Sequence, residues 1–147
     1  MRARQAKAWL VLMGAVPAAL AACSGEEPSD GFGVPTVAFE EAVEAAAEPV
    51  EGTVAVRANG CFDLELPDGE VRWIVWPEGT RLGDDGDQLV VRDLLVRDGD
   101  AISGTGALAG AEVLPGWEDP DSYFASFGTF CEAQEYGVVV LDEVTLD

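Results

Sequence analysis

The chain has 147 residues, enough for one ordinary domain, and 48% of them are hydrophobic, with four Trp and six Phe to build a core. Acids outnumber cations by 28 to 8 and there is no His, for a formal net charge of −20. This balance argues against nucleic acid and anionic lipid surfaces as partners, since phosphate binding draws on clustered Lys and Arg, and the lack of His removes Ser-His and Cys-His nucleophiles and most zinc sites.

Three of the eight cations, Arg2, Arg4 and Lys7, lie in the first seven residues, and Ala8 to Ala22 is an uncharged, largely apolar run of fifteen. A transmembrane helix needs about 20 such residues, so the run reads as an export signal. Leu20-Ala21-Ala22 leads directly into Cys23, and the first acid is Glu26. This order of basic start, apolar run, small residues and cysteine resembles the lipobox of bacterial lipoproteins. The resemblance implies that residues 1–22 are a signal peptide and that the Cys23 thiol carries a diacylglycerol, with its freed amino group open to acylation. It also implies that the mature chain is lipid-anchored to the bacterial cell membrane and faces outward. Multiple acyl chains give stable anchoring, at about 0.8 kcal/mol per buried CH₂. Ser24 leaves the destination leaflet open. Behind the signal, 28 acids face five Arg, a net charge of −23. Setting Cys23 aside leaves Cys61 and Cys131, an even pair in an exported chain, for which a disulfide is expected; two separately buried thiols are the alternative.

Residues 24–36, rich in Gly, Pro, Ser and acids, predict a flexible tether, and residues 23–50 as a whole are assigned to it. Within that stretch Phe39, Ala42, Val43 and Ala46 have helical spacing, so a short helix is expected before Pro49. From Glu51 the period becomes two. TVAVRA (53–58) and CFDLEL (61–66) flank Asn59-Gly60 and predict a hairpin with Phe62, Leu64 and Leu66 on one face. After the turn PDGE (67–70), VRWIVW (71–76) is apolar on both faces except at Arg72 and predicts a central strand. QLVV and LLV, either side of Arg92-Asp93, suggest a small hairpin. Gly104, Gly106 and Gly110 mark a bulged or bent strand. A short helix is expected over 119–128, with Asp119 as N-cap, Pro120 at N1 and Gly128 as its stop, before the closing strand YGVVVLDEVTLD.

About five strands and one short helix in residues 51–147 predict a mainly β fold, a small antiparallel β-barrel. The order resembles an OB-like barrel, with one departure: the helix falls between strands four and five rather than three and four.

No motif assembles a nucleophile, a phosphate cradle or a cofactor site, so no cofactor is expected. The reading is a lipid-anchored envelope lipoprotein whose acidic domain is a non-catalytic binding module, for an envelope protein partner with a basic surface. Two alternatives are kept. One is an extracellular hydrolase working through paired carboxylates. The other is a calcium-dependent binder using Asp84, Asp85 and Asp87, although the EF-hand spacing is not met. Trp76, Trp117 and Tyr123 are candidates for an aromatic binding surface; against this, the spacing of Tyr123, Phe127 and Phe130 suits a helix face packed on a core.

Overall fold

The run VRWIVW forms strand β4 (Val71–Pro77), with Ile74 and Trp76 buried on one side and Trp73 and Val75 on the other. A strand apolar on both faces needs a layer against each. The computed structural model, which describes residues 33–86 and 88–147, builds two such layers around β4. The lipobox with Cys23, and Asp87, lie outside the described residues.

The inner layer is a closed barrel. Strands β2 (Glu48–Val56), β3 (Phe62–Glu65) and β4 form the expected antiparallel meander. Strand β8 (Ala101–Ala109) pairs with β2, and β9 (Val138–Leu146) pairs antiparallel with β8 and parallel with β4. Five strands therefore close in OB-like order, with four seams antiparallel and the last one parallel. The parallel seam requires a crossover, and the segment between β8 and β9 supplies it across the outside. Val54, Leu64, Leu66, Ile74, Trp76, Ile102, Val139 and Leu141 fill the interior.

One end of the barrel is plugged where an OB-like barrel usually has its helix. Strands β5 (Arg81–Leu82), β6 (Gln88–Val91) and β7 (Leu94–Arg97) make a separate antiparallel sheet, confirming and extending the small hairpin expected around Arg92-Asp93. This sheet sends Leu89, Val91 and Val96 into the barrel core. Among the described residues the opposite end, where β2 and β9 begin and β3 and β8 stop, has no such plug.

The glycines of β8 act as expected. A Cβ at Gly104 would overlap the Glu143 carbonyl and one at Gly106 the Val140 carbonyl, so β9 can approach only a bare backbone. The register slips between Thr105 and Gly106, leaving Asp142 as the extra residue of a bulge.

The outer layer comprises a 3-10 turn (Ala111–Val113), α2 (Tyr123–Phe130) and α3 (Ala133–Tyr136), packed on Trp73, Val75, Val138 and Val140. Helix α2 starts three residues later than expected. Ser122, not Asp119, is the N-cap, its Oγ accepting from Ala125 N at 3.2 Å, while Asp119 Oδ1 accepts from Asp121 N and closes a preceding turn. Gly128 does not stop the helix. It lies within α2 because the Trp117 ring packs where its Cβ would be.

The assignment of residues 23–50 to a tether is corrected over its described part. Strand β1 (Thr36–Val37) pairs with Trp76 and Pro77 of β4, and Val37 is buried in the outer core. The expected helix shrinks to one turn, α1 (Phe39–Ala42), and Pro49 lies inside β2. Pairing of Glu48 to Thr53 with β8 outweighs the weak preference of a short isolated helix.

Candidate functional site

Cys61 and Cys131 form the expected disulfide, with Cα atoms 5.8 Å apart. It joins the first residue after the β2–β3 turn to the C-cap of α2, and both cysteines are fully buried. Beside it Arg57 gathers a second fastening. Arg57 Nε lies 2.7 Å from Asp63 Oδ2, Nη1 donates to Glu132 Oε2 at 2.7 Å, and Nη2 donates to the Cys131 carbonyl at 2.5 Å. The guanidinium also lies 5.5 Å from the centre of the Tyr136 ring. Glu132 reaches this position through a left-handed backbone, φ 59°.

Asp63 is only 3% exposed. Burial pushes its carboxyl up to about 6, although Arg57 beside it pulls the other way. Neither Arg57 nor Asp63 was singled out from the sequence. The signal was available in the period of two: Asp63 shares a strand face with Cys61, and a cysteine committed to a buried disulfide takes that face inside.

In OB-like barrels the outer face of strands two and three, with adjoining loops, commonly binds oligonucleotides or oligosaccharides. Here that face carries Cys61, Asp63, Trp73 and Val75, and α2 and α3 cover it. The usual binding face of this topology is thus part of the core.

The three candidate aromatics do not meet. Trp76 is fully buried inside the barrel, Trp117 packs over Gly128 in the outer layer, and Tyr123 is 44% exposed on α2. Tyr123 faces Phe127 edge-on and donates to the Val34 carbonyl at 3.2 Å, so it holds the incoming chain. Asp84 and Asp85 are exposed in the turn between β5 and β6, and among the described residues no three Asp, Glu or Cys side chains are grouped to hold a metal ion.

The arginines are unevenly engaged. Arg57 is held as described, Arg72 pairs with Glu70 and donates to the Tyr136 carbonyl, and Arg97 donates to Gln88 Oε1. Arg92 comes no closer than 3.9 Å to Glu143. Among the described residues, most exposed carboxylates therefore have no cation within ion-pair distance.

Shallow clefts open beside α1, beside α3 and at the unplugged end of the barrel. The last is lined by Pro49, Val50, Glu51, Leu66, Pro67, Asp68 and Leu108. Comparison with protein-family models, with curated proteins and with solved structures returned no match, so the function is argued from this chain's own residues.

Proposed function

We propose that the chain is a lipid-anchored envelope lipoprotein whose acidic β-barrel binds a partner protein through a basic surface on that partner and performs no catalysis. The observation that carries this reading is the uncompensated charge. Two of the five arginines behind the signal are paired closely with carboxylates, Arg57 with Asp63 and Glu132 and Arg72 with Glu70, and the exposed Arg97 is tied to the neutral Gln88. The exposed carboxylates consequently set the surface potential. A field of this kind favours encounter with a basic surface, and weakens over a Debye length of about 8 Å at physiological salt. Anchoring through Cys23 would raise the local concentration, so contacts of modest strength suffice.

Chemical cross-linking in intact envelopes, followed by partner identification at 50 and 500 mM salt, tests the proposal. A basic partner captured at low salt and lost at high salt is expected. Turnover of an envelope substrate by the purified protein, abolished by one Asp or Glu substitution that leaves the fold intact, would overturn it.

A further inference from the structure

The two ends of the barrel are built differently. At one end the β5–β7 sheet fills the opening, and at the same end the described chain enters, with β1 alongside Trp76 and Pro77. At the other end the alternation that places Leu64, Leu66 and Val139 inside also turns the partly buried Val50 and the exposed Leu108 towards the opening, which no element among the described residues closes. Leu108 is 50% exposed although it lies within a nine-residue strand.

The cleft at this mouth has a volume of about 280 Å³. Small-molecule sites run from about 300 to 1,000 Å³, so the mouth is at the small end of that range and has room for one large side chain. Its walls are stiff, because Pro49 and Pro67 have fixed φ. Its floor is apolar, from Val50, Leu66 and Leu108, and its rim carries Glu51 and Asp68. Asp68 is held in place by accepting from Glu70 N at 2.9 Å through Oδ1. The nearby cation, Arg72, is already engaged by Glu70 and the Tyr136 carbonyl.

We infer that the open mouth of the barrel receives one large apolar side chain of a polypeptide that carries lysine or arginine on either side of it. Apolar contact with Leu108, Leu66 and Val50 supplies affinity, and the two rim carboxylates select for flanking cations. This deepens the proposed function by giving the basic partner a place to dock. In a protein anchored through residue 23, the mouth lies at the end of the barrel opposite the incoming chain, free to meet a partner.

The test uses the mature lipoprotein reconstituted in phosphatidylcholine vesicles. A fluorescein-labelled peptide Lys-Leu-Lys-Phe-Lys is titrated and followed by anisotropy, with Glu-Leu-Glu-Phe-Glu as its charge-reversed counterpart. Binding of the basic peptide alone is expected. Leu108→Ser should weaken it about tenfold, and Glu51→Gln or Asp68→Asn two- to fivefold each. Glu118→Gln, in the turn before α2, should leave it unchanged. All four positions are exposed, and circular dichroism of each variant verifies the fold. Salt-sensitive binding that ignores Leu108→Ser, or responds equally to Glu118→Gln, overturns the mouth while leaving a general acidic interaction standing. Failure of lysine-rich probes to bind at any salt concentration sinks both readings.

Discussion

The barrel interior and the helical layer outside it bury similar sets of apolar side chains but hold them by different means. Inside, a closed ladder of strands surrounds Leu64, Ile74, Trp76, Val139 and Leu141. Outside, helices of eight and four residues lie on Trp73, Val75, Val138 and Val140. Helices so short do not persist by themselves, because a nucleus costs more than a few hydrogen bonds return. They are instead fastened to the β2–β3 turn by the Cys61–Cys131 bond and by Arg57, which reaches Asp63, Glu132 and the Cys131 carbonyl. A closed sheet satisfies its own backbone, whereas a layer added to it needs cross-links; the disulfide and the buried carboxylate of β3 both lie where the added layer meets the barrel.

The sharpest way to break this comparison is to remove the covalent fastening. The cysteines are 70 residues apart, and a loop of that length restrains the unfolded chain by about 4 kcal/mol in the chain-entropy model. Cys61→Ala with Cys131→Ala should therefore lower the free energy of unfolding by about that amount in a denaturant titration. Hydrogen exchange should show amides of α2 and α3 losing protection before those of β4 and β9. Simultaneous loss in both layers would mean that they form one cooperative unit.

A smaller effect is expected from Asp63. Its folded-state value of about 6 lies above the ordinary carboxyl value of 3.8, so the fold binds this proton more tightly than the unfolded chain does. The contribution of Asp63 to stability is therefore fully present below about pH 4 and is lost as pH rises through about 6, by about 3 kcal/mol at most at 1.36 kcal/mol per pH unit. Relief of general acidic repulsion adds to the same trend, so the readout is a difference. The stability profile of Asp63→Asn should be flatter than that of the parent between pH 4 and 6. Parallel profiles would show that Asp63 is ionised alongside Arg57 throughout.

The smallest effect belongs to the plug of the inner layer. Arg92 opens the two-residue turn between β6 and β7 with φ 55°, where glycine is favoured, and its contact with Glu143 at 3.9 Å is exposed. Arg92→Gly should raise stability by about 0.5–1 kcal/mol, seen as a rise of a few degrees in Tm. A fall would show that the arginine is held for its contacts across the α1 cleft.

Much of the barrel was legible locally. Strict alternation in CFDLEL, a turn at Asn59-Gly60, an all-apolar VRWIVW and glycines in β8 each report a backbone geometry that depends on a few neighbouring residues. The pairing of Cys61 with Cys131 followed from counting once Cys23 was set aside as the expected lipid site. The helix boundary at Ser122 and the entry of residues 36–50 into the fold were not legible. Competing caps differ by about a kilocalorie per mole, and β1 exists only because Trp76 and Pro77 lie alongside it.

Composition and period by themselves determined a small, acidic, disulfide-linked β fold, since burial pattern and charge count are properties of the chain read in order. Only the tertiary structure decided that Trp76 faces inward, away from Tyr123, that Asp63 is buried against Arg57, and that Leu108 stands open at an acid-rimmed mouth. Those facts depend on which strand lies beside which and on what covers each face, and closure of the barrel sets both through contacts between residues far apart in sequence.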